Sequence, residues 1–110
     1  MKIDWKLING DEVVIDEVNK IVKFEDNVIY YTDEFGTHVI DETNKIYERR
    51  NPEDIFRIDF NKNILTVIFS NTKLKYDIVT KYEEINNKII LSYSLGDEKK
   101  VIEITRKEEL

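Results

Sequence analysis

Apolar residues recur along this chain in short runs, broken every eight to twelve positions by turn residues, which is the spacing of all-β folds. Ile3, Trp5 and Leu7 alternate with Lys2, Asp4 and Lys6, a period of two that predicts a half-buried strand. Asn9-Gly10 follows, a strong hairpin signal because a type I′ turn needs φ > 0 at both central positions. Residues 13–24 shift phase midway and read as one bent strand, two strands about a bulge, or a strand with a short helix. Asp26-Asn27, Phe35-Gly36, Thr43-Asn44, Asn61-Lys62-Asn63, Asn71-Thr72, Asn86-Asn87 and Gly96-Asp97 punctuate the rest. The clearest alternation places Leu74, Tyr76, Ile78, Thr80 and Tyr82 on one face of a single long strand. The charged end, Arg106 to Glu109, is expected to fray.

The pattern predicts eight to ten strands joined by hairpins. So long a meander in so short a chain is expected to curl until its edges meet, as a small closed antiparallel up-and-down β-barrel with residues 1–110 forming one domain; a flattened two-sheet sandwich is the alternative. Composition agrees: alanine and glutamine are absent, while isoleucine is abundant.

Charge and residue inventory narrow the chemistry. The formal net charge of −6 argues against a general nucleic-acid binder, whose affinity comes from Lys and Arg on phosphates. The carboxylates fall mostly in adjacent pairs at turns, such as Asp33-Glu34 and Asp41-Glu42, and neighbours on a strand point to opposite faces. They read as solubilising surface and not as a glycosidase pair. With no cysteine and one histidine, thiolate chemistry and multi-histidine metal sites are excluded. There is no calcium-loop pattern, P-loop, nucleophile elbow or dinucleotide fingerprint. No cofactor and no enzymatic activity are expected. The N-terminus mixes acid and base and no apolar run has membrane length, so no membrane partner and a cytoplasmic location are expected.

Four residues stand out as candidate ligand contacts. Tyr76, Tyr82 and Tyr93 are placed by alternation on the face of Ile78, Ile89 and Leu91, where they pack or line a cavity. Arg49 is the fourth, because alternation puts it on the side of Tyr47. Arg50 and Arg57 lie close by among Glu48, Glu53, Asp54 and Asp59, so local ion pairing is the simpler reading for the cluster. His38, at a strand end with no identified partner, reads as a surface or edge residue.

The segments Val28-Ile29-Tyr30-Tyr31-Thr32-Asp33-Glu34, Ile46-Tyr47-Glu48-Arg49 and Ile89-Ile90-Leu91-Ser92-Tyr93-Ser94-Leu95, with Ile102 and Ile104 after them, make the layout similar to that of the YwiB-like family of bacterial proteins. That resemblance implies a lipocalin-like (calycin) barrel and no particular activity. The functions expected are therefore a non-enzymatic barrel binding a small, partly apolar ligand or, as an alternative, an acidic protein-interaction module. An enzyme would need His38, Arg49 and a carboxylate to converge.

Overall fold

The computed structural model describes residues 1–107. In chain order the strands are β1 (Lys2–Asn9), β2 (Glu12–Ile21), β3 (Lys23–Glu25), β4 (Val28–Asp33), β5 (Gly36–Asp41), β6 (Ile46–Arg50), β7 (Asp54–Asp59), β8 (Ile64–Phe69), β9 (Thr72–Asp77), β10 (Val79–Ile85), β11 (Lys88–Leu95) and β12 (Glu98–Lys107). They form two compact units.

The first unit joins the two ends of the chain, Met1–Val22 and the segment from Val79 onward. Its antiparallel sheet has the order β10-β11-β12-β1-β2. The register sets Trp5 against Ile104 and Leu7 against Ile102, and these against Ile89 and Leu91. One face therefore carries a continuous apolar patch in which Ile3, Trp5, Ile89, Leu91, Ile102 and Ile104 are essentially fully buried. Each such side chain contributes roughly 1.5–3 kcal/mol relative to exposure. The other face carries the intervening Asp4, Lys6, Glu103 and Thr105, and Lys107 there pairs with Asp4 at 2.8 Å.

The second unit, Lys23–Ile78, is a seven-stranded meander in sequential order from β3 to β9. Its first turn is built by Asp26 and Asn27, at φ 53° and 64°, as an I′ hairpin requires. Ile29, Ile40, Tyr47, Ile58 and Leu65 meet across β4 to β8 on one face and are buried.

The expected closed barrel of eight to ten strands is not formed. Among the described residues twelve strands make two open sheets, and the end strands of each are hydrogen-bonded to one neighbouring strand only. The edges are protected by means other than closure. β3 is three residues long, β9 carries Lys73, Lys75 and Asp77 and is exposed along its whole length, and β2 is bulged against β1 in two places. The predicted long strand through Ile78 is broken there: β9 and β10 belong to different sheets. Alternation carries across the break because it reports side-chain faces and not strand partners. Residues 13–24 resolve into β2, with Asn19 at φ 56° beside one register shift, and the short β3 in the other sheet. Arg106 and Lys107 do not fray but pair with Ile3 and Lys2, and the remainder of the predicted frayed end lies outside the described residues.

Candidate functional site

The polar chemistry of the second unit gathers on its apolar face, at the β4–β5 hairpin and the adjoining β6 and β7. Tyr31, His38, Arg49 and Phe56 stand in one row, each directly opposite the next across β4 to β7. Tyr47 lies beside them on β6, opposite Ile40. Asp33 and Gly36 form the last pair before the two-residue loop, which sets Asp33 diagonal to His38 on the same face.

His38 is 4% exposed and therefore not the surface residue expected from sequence. Its Nε2 is 3.0 Å from Asp33 Oδ1 and its Nδ1 is 2.7 Å from the Tyr47 hydroxyl. A carboxylate only accepts, so the ring carries its proton on Nε2 and donates to Asp33; Nδ1 then accepts from Tyr47. Tyr31 and Tyr47 stack on the ring at centroid distances of 5.8 and 6.0 Å. Burial holds His38 below its ordinary range, more strongly than the Asp33 charge and hydrogen bond raise it, with Arg49 lowering it further.

Asp33 is fixed from both sides. Its Oδ1 also accepts the Phe35 backbone N–H at 2.8 Å, the usual way an aspartate closes its own turn. Its Oδ2 is buried and has no hydrogen-bond partner. Arg49 lies with its guanidinium 5.1 Å from the centre of the Phe56 ring, and its Nε is likewise buried without a partner. Leaving such a group dry and unpaired costs about 1–3 kcal/mol or more when charged. Gly36 leaves room for the neighbouring Asn51: a Cβ at Gly36 would collide with the Asn51 side chain and the Arg50 carbonyl.

The opposite face of the same strands holds the ion pairing expected of the arginine cluster. Glu48, 4% exposed, accepts from Arg50 Nε at 2.6 Å and from Arg57 Nε and Nη2 at 2.9 and 2.6 Å. Two of the nearby arginines are thus spent on one carboxylate, and Arg49 is the one left on the apolar face.

The remaining expected contacts are dispersed. Tyr82 and Tyr93 share the apolar face of the first unit with Ile89 and Leu91, as alternation predicts; Tyr93 is buried and Tyr82 half-buried. Tyr76 does not share that face. It sits on edge strand β9 of the second unit, 48% exposed, opposite Leu65. Two shallow depressions, of about 220 and 300 Å³, open on the first unit; the smaller is lined by the polar face, including Asp4, Lys6 and Glu103. Among the described residues no group of three or more His, Asp or Glu side chains is placed to hold a metal ion, and no helix is long and apolar enough to cross a membrane.

Sequence reasoning placed Arg49 on the side of Tyr47, and named His38, Arg49 and a carboxylate as the trio an enzyme would need. The register does bring His38, Arg49 and Asp33 onto one face, while the hydrogen-bonded Asp33–His38–Tyr47 group was not anticipated. The available signal was the spacing Asp33-x-x-Gly36-x-His38, which a two-residue hairpin loop turns into a diagonal cross-strand pair. No family model, curated protein or solved structure matches the chain. With two open sheets in place of a barrel, the resemblance to the YwiB-like, lipocalin-like family is not upheld.

Proposed function

We propose that this is a non-enzymatic binding protein whose ligand is small, partly apolar and anionic, anchored by Arg49. The observation that carries this reading is a guanidinium stacked on Phe56, on the apolar face, with a buried Nε and no carboxylate partner among the described residues. Arginine suits the task because its planar fork binds a carboxylate or phosphate through two parallel bonds. Phe56, half-buried and directly opposite on β7, supplies apolar surface beside it. The non-catalytic part of the reading is supported by His38. Both of its ring nitrogens are engaged, one with Asp33 and one with the Tyr47 hydroxyl, which leaves no free lone pair to act as a base.

Calorimetric or NMR titration with hexanoate and with hexanol tests the proposal. Hexanoate is expected to bind saturably, with hexanol weaker by about tenfold or more, the worth of a charge-assisted hydrogen bond. Arg49→Met should abolish that difference. Equal binding of acid and alcohol by the native chain would overturn the assignment.

A second reading, an acidic protein-interaction module, is favoured by the exposed apolar side chains on edge strands: Val13, Val14, Val18 and Ile21 on β2, Leu74 and Tyr76 on β9. Exposed apolar side chains grouped in this way mark a surface suited to a partner. Capture of a defined partner at low salt that is lost on Val18→Lys would support it.

A further inference from the structure

Asn9-Gly10 serves the fold at the first hairpin, and the pair also has a chemistry of its own. Gly10 and Asp11 connect β1 to β2, with Asn9 held in β1 opposite Glu12. The side-chain amide of an asparagine can be attacked by the backbone nitrogen of the residue after it. Glycine, with no Cβ, is the successor that hinders this attack least. Asn9 is the one asparagine of the chain followed by glycine; the others precede lysine, valine, proline, isoleucine, threonine or asparagine. Asn9 is exposed, and nothing lies within 4 Å of the point where a Cβ on Gly10 would stand. Water and base therefore reach the pair.

Two features of the fold oppose the reaction. The Gly10 N–H donates to the Lys99 carbonyl at 2.9 Å, so the proton that must leave is held by an acceptor. Asn9 is also fixed in extended backbone by its pairing with Lys100 and Glu12. Closing a five-membered ring needs Cβ and the Gly10 nitrogen on the same side of the Cα–C bond, and in a strand they lie apart. Both restraints belong to the last pairs of the two ladders, where local opening costs least.

We infer that Asn9 is a site of spontaneous deamidation, gated by the pairing of β1 with β12. When that tip of the sheet opens, the Gly10 nitrogen gives its proton to a solvent base and bonds to Asn9 Cγ. The Cγ–Nδ2 bond breaks, and ammonia leaves with a proton taken from water. A second water adds across either C–N bond of the cyclic imide and restores the chain as aspartate or isoaspartate. Both products place a carboxylate opposite Glu12, and like charges directly opposite repel. Isoaspartate also routes the main chain through Cβ, which lengthens β1 at its pairing with Lys100. The product therefore weakens the pairing that restrained its formation.

The test is incubation of the full chain in mildly alkaline buffer, with and without denaturing guanidinium chloride, followed by tryptic digestion and mass spectrometry. Trypsin leaves Asn9 and Asn19 on one fragment, Leu7–Lys20, whose sequencing places the gain of one mass unit. In denaturant the gain is expected at Asn9 ahead of every other asparagine. In the native fold it should appear there about tenfold or more slowly, because the tip must open first. Another asparagine reacting first in denaturant, or a gain that persists on that fragment in an Asn9→Gln variant, overturns the site. Equal rates at Asn9 in the folded and the unfolded chain overturn the gate.

Discussion

At the scale of single residues, His38 concentrates the consequences. Its depressed affinity for protons means that the unfolded chain takes up a proton which the folded chain refuses. Its contribution to stability is therefore complete above its ordinary value of 6.5 and is lost as the pH falls from there toward its folded value. The thermal midpoint is expected to drop between pH 7 and pH 5, and a His38→Gln variant, which cannot titrate, should lose that slope. Calorimetry across the range checks both. The window is clear of Asp41, where burial raises the carboxyl but the Asn44 side chain and the Asn44 and Thr43 backbone N–H groups outweigh it; that group is held below its ordinary 3.8, and its contribution is lost only under stronger acid. Tyr47→Phe should cost about 1 kcal/mol in chemical denaturation, because it leaves His38 Nδ1 buried without a donor. None of this was legible in the sequence. The single histidine and its neighbours were visible as residue types, but a cross-strand diagonal depends on hairpin register. Arg49, by contrast, could be placed on the side of Tyr47 because both lie on one strand, where alternation suffices.

At the scale of strands and turns, local chemistry was readable and pairing was not. Asp26-Asn27 and Gly96-Asp97 form turns of the structure, each with at least one residue at positive φ, whereas the first hairpin turns one residue later than expected, on Gly10-Asp11, with Asn9 held in β1 opposite Glu12. The run from Leu74 to Tyr82 misled because Ile78 continues the alternation while the chain moves from one sheet to the other. Two substitutions probe this level. Gly36 combines φ 128° with a contact that leaves no room for a Cβ, so Gly36→Ala should destabilise by more than about 1 kcal/mol. The lysines of β9 act as guards on an unpaired edge, so replacing Lys73 and Lys75 together by threonine should promote self-association, visible as a concentration-dependent shift in sedimentation.

For the molecule as a whole, the sequence yielded the all-β class, and the closed topology drawn from it was wrong. A meander can hide its edges by meeting itself or by arming them, and periodicity is the same in both cases. What decides is the long-range pairing of β1 with β12, which sets Lys2 opposite Lys107. Contacts so distant in sequence slow folding. They also hold the first sheet together, because β12 is the strand that joins the β10–β11 hairpin to the β1–β2 hairpin. A chain ending at Asp97 should lose the cooperative urea transition of the first unit. The same ladder has a practical side. Antiparallel partners sit about 5 Å apart, so a linker of a few residues from Lys107 back to Lys2 would leave that pairing undisturbed. New ends opened in the exposed Asn86-Asn87 turn would then make β11 the first strand, giving a rearranged gene whose product keeps every hydrogen-bonded neighbour of the original.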